Sequence, residues 1–177
     1  MAGPKGDERA WVRGAQAGNA SDFEALFRAH WAQAFRAAYL VVHDAAAAED
    51  IAQEAFLAAV RNLDRFDRRR PFGPWLHRIV VNRAIDWARA RSLRGEVFAE
   101  GLLELAAPAV EAPVSRAPYA DATLAALAGL SPEHRAVIVL RYLLEYTPGE
   151  IAELLELPRG TVNSRLRRGL DQLKGRL

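Results

Sequence analysis

The chain has 177 residues, 51% of them hydrophobic and 26% charged, with a formal net charge of +2. It contains no cysteine, which excludes disulfides, thiolate chemistry and cysteine-ligated zinc and points to a reducing compartment, the cytoplasm. The first residues, Met1 to Arg9, are polar without an apolar centre, so no signal peptide is expected; no run approaches the ~18 apolar residues of a membrane span, so no membrane insertion of its own is expected either.

Strand signals are almost absent, and the elements in chain order are helical. Residues 1–19 are expected to be a partly disordered tail. Ser21-Asp22-Phe23-Glu24 has the spacing of a capping box, and a helix is predicted from there to about Val42, with Phe23, Leu26, Phe27, Trp31, Phe35 and Tyr39 on its apolar face. Asp44 is placed to cap a second helix through Leu63, with Ile51, Phe56, Val60 and Leu63 facing inward. Pro71, Gly73 and Pro74 mark Phe66 to Pro74 as a loop, and a third helix is predicted from Trp75 to about Arg91. Periodicity then fades among Pro108, Pro113 and Pro118, as expected of a flexible linker over 95–118. Its 24 residues, fully extended, would reach roughly 80 Å. A helix near Asp121–Leu127 follows, then one opened by Ser131-Pro132 and running through Leu144. The resulting fold class is all-α, two small helical domains at 20–94 and 119–177.

The last thirty residues carry the sharpest pattern. Thr147-Pro148-Gly149-Glu150 combines an N-cap, a proline at the first helical position and the glutamate of a capping box. Glu156-Leu157-Pro158 breaks that helix, and Arg159 opens a second one. Val162, Leu166, Leu170, Leu173 and Leu177 line one side of it, while Asn163, Ser164, Arg167 and Arg168 lie opposite. Helix, tight turn and basic helix form a helix-turn-helix that lays its second helix in the major groove of duplex DNA. There an arginine fork pairs with guanine and an asparagine with adenine, each good pair discriminating by roughly 1–3 kcal/mol.

The modest net charge hides four blocks. Residues 1–60 carry 5 basic and 8 acidic side chains, 61–94 carry 10 and 3, 95–158 carry 3 and 10, and 159–177 carry 6 and 1. Two basic blocks around an acidic one indicate two separate contacts with nucleic acid. The first basic block mixes Arg68, Arg69 and Arg70 with Phe72 and Trp75, and its helix puts Arg78, Asn82, Asp86 and Arg89 on one stripe. Cations follow phosphates, and aromatic faces hold unstacked bases, which suits strand-separated DNA better than intact duplex. Asp50, Gln53 and Glu54 share one side of the second helix, where carboxylates suit a basic partner.

Three segments together resemble the bacterial sigma factors. Ala48-Glu49-Asp50-Ile51-Ala52-Gln53-Glu54-Ala55-Phe56 is similar to their A-E-D-x-x-Q-E-x-F signature, Trp75-Leu76-His77-Arg78-Ile79-Val80-Val81-Asn82-Arg83-Ala84-Ile85-Asp86 to their W-L-x-x-I-x-x-N-x-x-x-D segment, and Gly160-Thr161-Val162-Asn163-Ser164-Arg165-Leu166 to their G-T-V-x-S-R-L. Order, spacing and length resemble the extracytoplasmic-function (ECF) group, which keeps only sigma regions 2 and 4. The resemblance implies a protein that binds core RNA polymerase, directs it to promoter DNA and assists opening. It implies polymerase docking through Asp50, Gln53, Glu54 and Phe56. It implies contact with the melted −10 strand through Arg68, Arg69, Phe72, Trp75, Arg78 and Asn82. It also implies −35 readout by Arg159, Thr161, Asn163, Ser164, Arg167 and Arg168, with the acidic linker directed toward the RNA exit channel. The chain departs from the family pattern at Glu156, where the turn often has glycine, at Pro158, often a capping serine, and at Asn163, often lysine or arginine.

Rival readings explain less. His30, His43, His77 and His134 are scattered without ligand spacing, and no phosphate-binding loop, nucleophile motif or H-E-x-x-H occurs, so no enzyme, no catalytic residue, no metal and no cofactor is expected. A stand-alone helix-turn-helix regulator of duplex DNA would account for 119–177 but not for the first 94 residues. The sequence ends just after the basic helix, so no fused C-terminal sensor domain is expected. Control is then expected from outside, by an anti-sigma factor covering both domains, because a free sigma factor would compete continuously for polymerase.

Overall fold

A computed structural model describes residues 5–94 and 121–176; the expected linker, 95–118, lies outside them. The described residues are helical throughout: α1 (Lys5–Gln16), α2 (Ala20–Val42), α3 (Ala45–Asn62), a 3-10 turn (Leu63–Arg65), α4 (Phe72–Leu93), α5 (Asp121–Ala128), α6 (Pro132–Ile138) continuing as a π turn (Val139–Leu143), α7 (Pro148–Leu155) and α8 (Arg159–Lys174). The all-α class and the two helical units stand as the sequence predicts.

In the front unit α2 is the central helix. It packs against α1, α3 and α4, and Leu26, Ala34, Ala37, Ala38 and Val41 are completely buried along it. The many alanines let the neighbouring helices approach closely, and Phe27, Trp31 and Phe56 fill the space left over: Phe27 stacks on Trp31 at 4.9 Å between centroids and meets Phe56 at 4.7 Å. Asp44 caps α3 as predicted, its Oδ1 accepting from the Ala47 amide at 2.9 Å. The cap of α2, however, is Asn19, whose side chain accepts from the Ser21 amide; Ser21 lies within the first turn, so the predicted capping box is displaced.

The expected tail is also corrected. From Lys5 to Gln16 it forms α1, and Val12 is 3% exposed against the core. α1 does two jobs for the rest of the unit. The Glu8 carboxylate accepts from the Phe72 amide at 2.9 Å, so α4, whose own N-cap Pro71 has no side-chain acceptor, starts at Phe72 instead of Trp75. The Gln16 amide donates to the carbonyls of Leu63 (2.8 Å) and Phe66 (3.0 Å), pinning the chain where α3 gives way to the loop.

In the rear unit α6 and α8 are the main pair, with α7 against α8. Gly169 lets α8 lie close to α6: a Cβ there would come within 2.8 Å of the Ile138 Cδ1. Ser131 caps α6 and Thr147 caps α7. The two units do not stand apart. α4 packs on α6 and α7, α2 on α6, and one buried apolar cluster runs through both units.

Candidate nucleic-acid and polymerase interfaces

The helix-turn-helix is built as its sequence specifies. The Thr147 Oγ1 accepts from the Glu150 amide, and the Glu150 carboxylate accepts from the Thr147 amide at 2.7 Å. The Thr147 hydroxyl donates to the same carboxylate at 2.7 Å, and the bonds from the Thr147 amide and hydroxyl hold the Glu150 carboxyl below its usual range. α7 ends when Glu156 enters the left-handed region (φ 55°), and the Leu157 amide returns to the Ala152 carbonyl at 2.9 Å. Ile151, Leu154, Val162 and Leu166 are buried between the two helices. Because those apolar residues fix the rotation of α8, Arg159, Asn163, Arg167 and Arg168 are exposed, with Thr161 and Ser164 half-buried beside them. Four of the six predicted groove residues are thus exposed on α8, and the other two are half-buried beside them.

The first basic block keeps its arginines in solvent. The Asp67 Oδ1 accepts from the Arg69 amide at 2.9 Å, and the Arg70 amide donates to the Asp67 carbonyl, so Arg68, Arg69 and Arg70 ride on a tight, exposed turn. Its aromatics behave differently. Phe72 is fully buried between His30 and Trp75, so it is corrected from a strand contact to core. Trp75 is half-buried with its ring 4.6 Å from that of Phe66. Asn82 is half-exposed on α4. Arg78 reaches the rear unit, where its guanidinium lies 2.5 Å from the Glu156 carboxylate.

On α3, Asp50, Gln53 and Glu54 are exposed, and Glu54 pairs with Arg83 of α4. Phe56 is 3% exposed and belongs to the core beneath them, which corrects its place on the docking face. Val60, expected inside, is 46% exposed, and Leu57 is 54% exposed. The sequence reading did not single out Leu57. It falls three and four positions after Glu54 and Gln53, so the same helical spacing that groups the carboxylates would have placed it in their stripe.

The seam between the units is unusually rich in ionisable groups. Tyr146 and His77 share a hydrogen bond, the hydroxyl lying 2.7 Å from Nδ1. Burial, and next the neighbouring His30, push His77 down to about 4, so the ring is neutral near pH 7. Burial likewise raises the Tyr146 hydroxyl. Nearby, His30 pairs with Glu8 at 3.2 Å. Farther along, Arg135 of α6 is 1% exposed, and burial together with its charge pushes His43 down to about 3. Arg89 of α4 meets Glu133 at the start of α6 at 2.5 Å. Among the described residues no cluster of three His, Asp or Glu suited to a metal is present, and no helix is long and apolar enough to cross a membrane.

Comparison with known proteins agrees with this geometry. Residues 26–94 match the family model of Sigma-70 region 2, and residues 120–173 that of Sigma-70, region 4. The chain is 33% identical to the ECF RNA polymerase sigma factor SigW of Bacillus subtilis over 159 residues, covering 81% of this chain and 82% of that protein. It is 38% identical to the ECF RNA polymerase sigma factor SigL of Mycobacterium tuberculosis over 168 residues, covering 92% and 93%. Among solved structures it resembles CnrH in complex with the cytosolic domain of CnrY, with a TM-score of 0.68 and 28% identity over 96% of each chain. The fold is shared with the sigma factor RpoE of Bartonella quintana, solved with the anti-sigma factor NepR, at a TM-score of 0.69 and 22% identity over 88% of this chain and 96% of that one. A front unit and a helix-turn-helix unit that match the two regions in order, over nearly the full length of curated relatives, place this chain in the ECF family of RNA polymerase sigma factors.

Proposed function

We propose that the chain joins core RNA polymerase through the exposed stripe of α3, formed by Asp50, Gln53, Glu54 and Leu57, and directs it to promoters through two DNA contacts. α8 enters the major groove of the −35 element with Arg159, Thr161, Asn163, Ser164, Arg167 and Arg168. The Arg68–Arg69 turn, Trp75 and the Arg78–Asn82 face of α4 hold the separated −10 strand. The observation that carries this reading is the free, basic side of α8, rotated outward by the burial of Val162 and Leu166.

The chain supplies placement and strand separation; catalysis of RNA synthesis belongs to the polymerase, and both work in the cytoplasm. An anti-sigma factor is the expected controlling partner, in keeping with the CnrH structure, which holds a partner's cytosolic domain.

Run-off transcription with core polymerase, this chain and a randomised promoter library tests the reading. Initiation should depend on the chain and enrich a two-part promoter. Arg168→Ala should weaken −35 recognition by roughly 1–3 kcal/mol, whereas Asn82→Ala should slow opening more than closed-complex formation. Transcription that starts without the chain, or equal effects of both variants on duplex affinity, would refute it.

A further inference from the structure

The arginine loop stands on two feet, and α1 holds both. Phe66 and Phe72 flank residues 67–71, and their rings meet edge to face with centroids 6.0 Å apart, closing the loop at its base. The backbone of each foot is bonded to one residue of α1. The Phe66 carbonyl accepts from the Gln16 amide at 3.0 Å, and the Phe72 amide donates to the Glu8 carboxylate at 2.9 Å. Glu8, Val12 and Gln16 follow one another at four-residue steps and so share a side of α1; Val12, 3% exposed, seats that side on the core. We propose that α1 belongs to the strand-opening apparatus, with Glu8 and Gln16 as positioning residues that hold the Arg68–Arg70 loop in the shape that receives the unpaired −10 strand.

The contacts are specific in chemistry as well as place. The Gln16 amide nitrogen donates to two carbonyls at once, Leu63 at 2.8 Å and Phe66 at 3.0 Å, which takes a group with two N–H donors. Pro71, the N-cap of α4, offers the Phe72 amide no side-chain acceptor, and Glu8 supplies it from another helix. Glu8 is itself oriented, because its second carboxylate oxygen lies 3.2 Å from Nε2 of His30 on α2. That hydrogen bond, together with the one from Phe72, holds the Glu8 carboxyl below its usual range against its partial burial. Trp75 follows the feet, since its ring lies 4.6 Å from that of Phe66. Between the feet the Asp67 turn fixes the chain, and Arg68, Arg69 and Arg70 point into solvent. A short loop fixed at both ends presents its cations in one arrangement, so less conformational entropy is lost when a strand binds. α1 lies ahead of the residues matched to region 2.

The inference rests on the reading of this loop as a strand contact, and its test separates the two. Holoenzyme is assembled from core polymerase and the full chain, on a promoter enriched from the randomised library. Opening is followed by the fluorescence of an adenine analogue placed in the −10 element. Glu8→Met and Gln16→Met keep the bulk of each side chain and remove its hydrogen bonds. Each should slow opening by roughly five- to tenfold, the change expected if the released loop holds its productive shape in one molecule in five to ten, while closed-complex affinity stays within about twofold. Glu8→Gln, whose amide oxygen still accepts from Phe72, should restore most of the rate. In a chain already carrying Arg68→Ala, Arg69→Ala and Arg70→Ala, adding either methionine should slow opening little further, because the hold acts through the loop; a general structural loss would add in full. Normal opening in both methionine variants, full additivity in the arginine-free background, or a parallel loss of closed-complex affinity overturns the positioning role. If instead the arginine-free loop opens the promoter at the normal rate, it is the strand-contact reading of the loop that fails.

Discussion

His77 gives this protein a calculable acid sensitivity. The imidazole is 4% exposed, shares a hydrogen bond with the Tyr146 hydroxyl, and faces His30 of α2 and Glu8 of α1. Its pKa falls from 6.5 in the unfolded chain to about 4 in the folded one, so the unfolded state takes up a proton that the folded state refuses. Stability from this group is complete above pH 6.5 and drains away as pH falls toward 4. Between pH 6.5 and 4.5 the loss is about 2 kcal/mol, below the full rate of about 1.4 kcal/mol per unit because the unfolded imidazole is only half protonated at 6.5. His43, pushed down to about 3, adds a second proton over the same window. Near pH 5 the unfolding free energy should therefore change by about 2.7 kcal/mol per pH unit. In His77→Gln, whose amide still hydrogen-bonds the tyrosine hydroxyl but does not titrate, the slope should fall to about half. Urea unfolding followed by circular dichroism at pH 7, 6, 5.5 and 5 measures both slopes. Equal slopes in the two proteins, or a stability that rises on acidification, would refute the burial of a neutral His77 at the seam.

Three further outcomes follow from the same geometry. Thr147→Ala removes the cap of α7 and should cost about 1 kcal/mol, read as a lower melting temperature, with little change in the front unit's hydrogen exchange. Gln16→Ala frees the Leu63 and Phe66 carbonyls; it should cost about 1–2 kcal/mol and speed tryptic cleavage within Arg68–Arg70, whereas an unchanged cleavage rate would show that α1 does not hold the loop. Leu57→Asp, at a site 54% exposed, should leave stability within about 0.5 kcal/mol yet weaken polymerase binding by about tenfold or more in a competition assay.

Much of the architecture was legible because its determinants are local. The Thr147–Glu150 box, the Asp44 and Ser131 caps and the break at Glu156–Pro158 each depend on residues within a few positions, and each helix they bound formed where expected. The outward face of α8 was equally readable, since Val162 and Leu166 repeat at helical spacing and leave the basic residues opposite. Single helices hide what tertiary contacts decide. α4 begins at Phe72 because a carboxylate 64 residues earlier reaches its first amide, a cap no local pattern contains. Phe72 looked like an aromatic strand contact, but His30, Phe66 and Trp75 close over it, so packing made it core; Phe56, which its spacing already turned inward, is closed over by Phe27 and Trp31, so only the docking role implied by the resemblance fails. Periodicity tells which side of a helix is apolar but not which partner covers it, so the meeting of Arg78 with Glu156, Arg89 with Glu133 and His77 with Tyr146 was settled only when the two units packed together.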